Sequence, residues 1–193
     1  TLGIRDARMP TDRLATIVER LGDPPALPKT ASEVLRITND PMCDAADIAR
    51  AIEQDPALAS KVVQVSNSSY YGMRQFVGTL KLALVILGVR EIRNIVTGVS
   101  VFDALGHGAG AEFKSALWDH SLLVAGLARQ LDMRIEAGLP GEAFLAGLLH
   151  DIGKLALERH EGSAYRAIAR DHGGELCDKE REIFGFTHAD AGA

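Results

Sequence analysis

Apolar and polar positions along most of the chain follow the period of an amphipathic helix. Apolar side chains recur three or four residues apart, as at Ile92, Ile95 and Val99, which is the spacing of one helix face. No stretch shows the alternation with a period of two that indicates a half-buried strand. The pattern therefore predicts an all-α protein of about ten helices joined by short connections.

Capping residues predict where several of these helices begin. Asp55 precedes Pro56, and proline at the first helical position loses no needed hydrogen bond while the aspartate caps the helix. Long helices are predicted over residues 111–131 and 143–157. The other predicted starts are Thr11, a capping box at Thr30–Glu33, Asp44, Thr79, and a capping box at Thr187–Asp190.

The apolar run 143–157 carries three polar side chains, His150, Asp151 and Lys154. Its alanine, leucine and phenylalanine content favours a buried helix over a strand. Each helical residue rotates by about 100°, so Lys154 lies about 40° and Asp151 about 100° from His150. The run therefore predicts one buried helix with a polar patch, floored by the small residues Ala143 and Gly147, where another helix or a ligand can approach closely.

An aspartate in a buried helix must be paired, hydrogen-bonded or bound to a metal. In one interpretation, His150 and Asp151 are two ligands of a metal site. In the other, Asp151 belongs to a polar network and accepts hydrogen bonds from a histidine and from Lys154. A histidine–aspartate dipeptide alone does not decide between these interpretations.

Composition narrows the class of protein. The 193 residues are 47% hydrophobic with a net charge of −5, which suits a soluble globular chain and argues against general nucleic-acid binding. No apolar run approaches the ~18 residues of a membrane span, and no signal peptide is recognised. Cys43 and Cys177 stand far apart, as expected for reduced thiols in a cytoplasmic protein.

A glycine-rich segment, residues 106–110, is the best candidate boundary between lobes. With this boundary, the predicted organisation is a tail and a helix in residues 1–25, an N-terminal helical lobe over 26–106, and a second lobe over 111–193. His120 falls in the first long helix of the second lobe.

Local motifs in both halves carry a resemblance to a known family. From Ala26 onward the chain resembles an HDOD domain, the output-type relative of the HD phosphohydrolases in bacterial signalling proteins. The resemblance implies a two-lobed helical bundle whose second lobe is similar to an HD hydrolase and continues beyond residue 193. The matching motifs are Leu27-Pro28, Asp55-Pro-Ala-Leu58, Asn67-Ser-Ser-Tyr-Tyr-Gly72, Gly147-Leu-Leu-His-Asp-Ile-Gly153, Glu180…Phe184-Gly185 and Thr187-His188-Ala189.

The resemblance also implies a metal site. HD hydrolases hold a divalent metal that activates water for attack on phosphate; iron, manganese, zinc and magnesium are the candidates here. The matching ligands are His120, His150 and Asp151, and His188 matches a further histidine of the HD-GYP branch, which cleaves cyclic di-GMP. Lys154 matches a lysine of that branch and would neutralise a phosphate oxygen. Because His188 is predicted in the first turn of a helix, whose positive end disfavours imidazolium, we expect a neutral ring.

Two hypotheses follow for function. HDOD proteins are regarded as non-catalytic, and nothing after His188 supplies the later motifs of the HD-GYP site. The preferred hypothesis is a regulatory output domain that acts through signalling proteins or by sensing a ligand, with a cyclic dinucleotide or nucleotide as the candidate. The alternative is a metal-dependent HD-type phosphohydrolase or cyclic-nucleotide phosphodiesterase, with Asp151 and Lys154 as catalytic residues.

Overall fold

The computed structural model describes residues 19, 26–40, 42–68, 71, 76–136, 138–139, 141–170 and 175–193. All regular structure within these ranges is helical, without a strand, and the all-α prediction is therefore confirmed. The tail and helix predicted in residues 1–25 lie outside the described residues, apart from Glu19.

The helices follow one another through short connections. In chain order they are α1 (Lys29–Ile37), α2 (Ala45–Glu53), α3 (Pro56–Ser66), α4 (Leu80–Leu87), α5 (Val89–Leu105), α6 (Ala111–Ile135), α7 (Glu142–Leu149), α8 (Gly153–Glu161), α9 (Ser163–Arg170), α10 (Leu176–Phe184) and α11 (His188–Gly192).

These helices belong to two compact units, and the chain passes through each more than once. The larger unit contains the described residues of Pro25–Ala104 and Ala116–His150, and the smaller unit those of Leu105–Ser115 and Asp151–Ala193. Helix α6 contributes residues to both units because the division falls within it. The lobe boundaries predicted from the glycine-rich segment stay a prediction.

The larger unit has a core built from the inner faces of α1–α5 and parts of α6 and α7. Gly147 lets α7 approach α6 closely, since a Cβ atom on it would lie 2.6 Å from the Cα atom of Ala125. The sequence predicted that another helix or a ligand could approach the small residues Ala143 and Gly147, and the contact of Gly147 with α6 confirms a close helix approach. Completely buried side chains of this core include Val34, Ile48, Ile52, Val62, Ile92, Ile95 and Phe144.

The smaller unit has a separate core. Leu157 and Tyr165 pack with Phe184 and Phe186. Helix α11 lies close to the start of α8, because a Cβ atom on Gly153 would lie only 1.9 Å from the carbonyl oxygen of His188. Glycine is therefore needed at position 153 for α11 to reach this place, and α11 carries one of the predicted site residues.

Most of the predicted helix starts are confirmed. Asp44 and Thr187 form capping boxes with the residues three positions later, and Asp55 and Thr79 accept hydrogen bonds from the first turns of α3 and α4. The capping box at Thr30 is wrong. Helix α1 begins earlier, at Lys29, because the carbonyl of the preceding proline already accepts a hydrogen bond from the N–H of Ser32, 3.0 Å away.

The single helix predicted over residues 143–157 is also wrong. Helix α7 ends at Leu149, residues 150–152 form a turn, and α8 begins at Gly153. The Nδ1 atom of His150 lies 2.8 Å from the carbonyl oxygen of Gly147, which would accept the N–H of Asp151 if the helix continued. A side chain therefore competes with the helical backbone and ends the helix.

Candidate functional site

His120 and His150 come together in the larger unit. Their ring centroids are 5.3 Å apart, and a ring nitrogen of one lies within 4.8 Å of a ring nitrogen of the other. Both residues are exposed. The carbonyl oxygen of Gly147 can only accept a hydrogen bond, so the Nδ1 atom of His150 is the donor of this contact.

Asp151 lies buried in the smaller unit between two cationic groups. Its Oδ2 atom accepts a hydrogen bond from the Nζ atom of Lys154 over 2.6 Å. Its Oδ1 atom lies 3.1 Å from the Nε2 atom of His188. Each carboxylate oxygen of Asp151 therefore has its own cationic partner, in the arrangement that the polar-network interpretation predicts.

Glu180 holds the other side of His188. Its carboxylate lies 2.7 Å from the Nδ1 atom of His188, accepts the backbone N–H of the same residue over 2.9 Å, and accepts the Tyr165 hydroxyl over 2.7 Å. Glu180 is completely buried. Because carboxylates flank both ring nitrogens, the imidazole of His188 has a fixed orientation.

The charge state of His188 follows from these contacts. Burial by itself lowers the pKa of His188, but the hydrogen bonds to Asp151 and Glu180 outweigh burial and raise the pKa to about 9. Burial likewise raises the pKa of Glu180, but hydrogen bonds from His188 and Tyr165 reverse this and lower it. His188 is therefore an imidazolium at neutral pH, and the predicted neutral ring is wrong: two carboxylates outweigh the helix end.

The resulting ionic network has no net charge. Asp151 and Glu180 contribute two negative charges, and Lys154 and His188 contribute two positive charges. Ion pairs of this kind tolerate burial because each charge keeps a partner in place of water. We call these four residues, together with the Tyr165 hydroxyl, the buried ionic network.

Sequence reasoning assigned no role to Glu180, although it formed part of a matching motif. A sequence signal was present. Glu180 lies four residues after Leu176 and four before Phe184, which places a carboxylate on the apolar face of α10. A charged residue at such a position needs a buried partner. The capping box at Thr187–Asp190 places His188 at the start of the next helix, which makes it a candidate partner for Glu180.

The four predicted metal ligands are divided between the two units. His120 and His150 lie together in the larger unit, and Asp151 and His188 lie together in the smaller one. Imidazole nitrogens and a carboxylate oxygen are suitable donors for a divalent first-row metal. The 3.1 Å between the facing atoms of Asp151 and His188 is also compatible with two ligands of one ion, so these residues fit a metal. The complete four-ligand site stays a prediction.

Asn67 has a structural role at the end of α3. Its side-chain nitrogen donates to the carbonyl oxygens of Val63 and Val77 over 2.9 and 2.8 Å, and its oxygen accepts the N–H of Val77 over 2.7 Å. The Asn67 side chain therefore satisfies backbone groups at the end of α3. The following Ser69, Tyr70 and Gly72 lie outside the described residues.

Comparison with known proteins places the chain in a family. The model of the HDOD domain matches residues 25–193, and the chain therefore belongs to the HDOD domain family. A crystal structure of an HDOD domain protein of unknown function from Geobacter sulfurreducens has a TM-score of 0.71 and 26% identity, and the match covers 94% of this chain and 63% of that one.

Two further crystal structures carry functional names. A Shewanella amazonensis protein, named as a candidate phosphohydrolase, has a TM-score of 0.65 and 27% identity, over 92% of this chain and 64% of that one. A Marinobacter aquaeolei protein, named as a candidate signal transduction protein, has a TM-score of 0.61 and 25% identity, over 93% and 44%. The names describe those proteins, and the similarity is to their helical fold.

These relatives are longer than the chain. A curated uncharacterised protein from Treponema pallidum is 27% identical over 155 residues, which cover 75% of this chain and 28% of that protein. The chain thus spans less than two thirds of this protein and of the Geobacter sulfurreducens and Shewanella amazonensis proteins above. In the part of the chain that the structure describes, no helix combines the length and apolarity needed to cross a membrane.

Proposed function

We propose that this chain is a non-catalytic regulatory output domain that acts through signalling proteins, and that its HD-type residues in the smaller unit serve as a structural network. The observation that carries the proposal is the double pairing of Asp151 and His188. Both carboxylate oxygens of Asp151 and both ring nitrogens of His188 are engaged by charged side chains of the same unit.

This pairing supports a structural role because metal binding would have to undo it. A metal ligand must be deprotonated, whereas flanking carboxylates keep His188 protonated, with a pKa of about 9. The Nζ atom of Lys154 lies 2.6 Å from Asp151, so a metal would compete with a buried ion pair for the same oxygen. Lys154 is also turned toward the carboxylate, although a phosphate-neutralising lysine would need to reach the substrate.

The output role is supported by similarity. The Marinobacter aquaeolei relative is named as a candidate signal transduction protein and has 25% identity to this chain. By this similarity, signalling proteins are the partners that we propose. The cytoplasm is the compartment that fits such partners.

A metal-dependent phosphohydrolase is the second candidate function. It is favoured by the name of the Shewanella amazonensis relative and by the donor types of His120, His150, Asp151 and His188. A bound divalent ion would act as a Lewis acid and lower the pKa of a water molecule. In that case Lys154 would leave Asp151 and neutralise an oxygen of the phosphate.

Elemental analysis and a phosphodiesterase assay separate the two functions. The protein is purified without chelator, supplied with iron, manganese or zinc, and tested with cyclic di-GMP and a chromogenic phosphodiester. We expect substoichiometric metal and no hydrolysis above that of the Asp151→Asn variant, which is the matched control. Stoichiometric metal together with hydrolysis that Asp151→Asn abolishes would show that the proposal is wrong.

A further inference from the structure

Helix α6 carries a row of large apolar side chains that face outward. Leu123, Leu127 and Leu131 follow one another at intervals of four residues and are 39%, 53% and 57% exposed, and Ile135 continues the row at 62%. All four belong to the larger unit. From Leu123 to Ile135 the row extends about 18 Å along the helix. Four exposed apolar residues at this spacing form a face typical of helix association.

The two ends of this row carry opposite charges. Asp119 precedes it and Arg134 lies near its C-terminal end, and both side chains are exposed. Asp119 is eight residues before Leu127, and Arg134 is seven residues after it. At about 100° per residue, the two charged residues lie on the same side of the row through Leu127. The row is therefore apolar at its centre, acidic at one end and basic at the other.

We propose that this face of α6 binds a second copy of the chain in an antiparallel helix pair centred on Leu127. A two-fold axis through Leu127 places Leu123 opposite Leu131 of the second copy. It also brings Asp119 near the second copy's Arg134, and the reverse contact forms by symmetry. A closed two-fold interface needs a surface complementary to itself, and the charge order of this helix provides one.

The small area of this face limits the affinity of the two copies for each other. A stable interface buries about 800 Å² on each partner, and one helix pair over about 18 Å buries less than that. The association is therefore weak and depends on concentration. Its two ion pairs are exposed to solvent and contribute orientation more than affinity.

Sedimentation of the intact chain over a concentration series tests the proposal directly. We expect a monomer–dimer equilibrium that Leu127→Asp shifts to monomer, because the substitution places two carboxylates against each other at the two-fold axis. Val85→Asp is the matched control, since Val85 is 71% exposed on α4 of the same unit and should leave the equilibrium unchanged. Unaltered circular dichroism of both variants shows that they are folded.

Charge reversal tests the antiparallel order. Asp119→Arg and Arg134→Asp should each weaken the dimer, since each places like charges together at both ends of the pair. The double variant restores opposite charges and should recover dimerisation to near the original level. A parallel pair would instead place each residue beside its own copy, and the double variant would recover nothing.

Cysteine cross-linking fixes the register. In a Cys43→Ser, Cys177→Ser background, Leu127→Cys should form a disulfide-linked dimer under mild oxidation, whereas Leu131→Cys should not. In the antiparallel pair the two residues at position 131 are about 12 Å apart along the axis, whereas at position 127 they meet. Equal cross-linking at both positions would refute the antiparallel arrangement.

Two outcomes overturn the proposal as a whole. One is a monomer at every concentration, and the other is a dimer that Leu127→Asp does not weaken. If the chain is monomeric and Leu127→Asp alone lowers its melting temperature, another part of the polypeptide covers the row in solution. The substitutions on α4 and α6 lie outside the buried ionic network, so failure here leaves the proposed regulatory function untouched.

Discussion

Replacing Glu180 by alanine tests the buried ionic network most directly. Glu180 is completely buried and is the partner of three donors: the Tyr165 hydroxyl, the backbone N–H of His188, and the Nδ1–H of the same histidine. The alanine variant leaves all three without this partner. It also leaves three charges, of which two are positive, in a site that was neutral.

The magnitude follows from the cost of unpaired groups. A buried donor without a partner costs about 1–3 kcal/mol, and breaking a buried ion pair by removing one member costs about 3–5 kcal/mol. These costs overlap because His188 keeps its contact with Asp151 and water can enter the vacated space. We therefore expect Glu180→Ala to lower the free energy of unfolding by about 3–5 kcal/mol.

Urea denaturation followed by far-ultraviolet circular dichroism measures this change, with two variants for comparison. Glu182→Ala is the matched control, because Glu182 is exposed on the same helix and its loss should alter stability by less than about 0.5 kcal/mol. Glu180→Gln keeps the shape and one acceptor but removes the charge. It should fall between the control and Glu180→Ala if charge and hydrogen bonding both contribute.

The reasoning would be refuted by a Glu180→Ala variant that is as stable as Glu182→Ala. It would also be refuted if Glu180→Gln matched the wild type at every pH, because the charge on Glu180 would then do nothing for His188. Measurement in chelator keeps any bound metal from contributing to the comparison.

Further predictions concern pH and close helix contacts. The pKa of His188 is raised from 6.5 to about 9, so the stability that its charge contributes is complete below pH 6.5 and is lost as the pH rises through 9. Urea denaturation between pH 6 and 10 should show this loss of stability, and the Glu180→Ala variant should show a smaller dependence on pH. Gly147→Ala should cost about 1–3 kcal/mol in urea denaturation, because its Cβ would meet the backbone of Ala125. Gly153→Ala should cost more, since the His188 carbonyl oxygen occupies the place of its Cβ, and faster hydrogen exchange in α11 would report the displaced helix.

Local sequence chemistry predicted much of the fold. Asp55 before Pro56, Thr79 before an apolar run, and the Thr187–Asp190 capping box each placed a helix start where the structure has it. These predictions succeed because a cap depends on residues within one turn. The capping box at Thr30 failed for a similarly local reason, since Pro28 provided an earlier start that the capping pattern did not take into account.

The turn at residues 150–152 shows where local periodicity is insufficient. Composition favoured one helix through His150, but the His150 side chain takes the carbonyl oxygen of Gly147, which the helix would need next. Tertiary packing also requires glycine at position 153, the first residue of α8, because the His188 carbonyl oxygen leaves no room for a Cβ atom. Neither effect is visible in a pattern of apolar and polar positions.

The charge of His188 was also beyond sequence reasoning, for a physical reason. Its position at the start of α11 predicted a neutral ring, but a helix end contributes only about 0.3–1 kcal/mol in an ordinary surface setting. Two carboxylates in contact with the ring outweigh that term, and one of them, Glu180, comes from another helix. Only the packing of α10 against α11 brings that carboxylate to the ring.

Under the proposed regulatory function, the neutral total of the buried ionic network accounts for how Asp151 and His188 are kept in a buried site without a metal. Protonated His188 and Lys154 together supply two positive charges beside Asp151 and Glu180, the same charge that a divalent metal would bring. A metal entering this unit would have to expel the His188 proton and displace Lys154 to avoid an excess of positive charge in a buried site. Metal binding, if forced, should therefore release protons and strengthen as pH rises, whereas the stability contributed by His188 weakens over the same range.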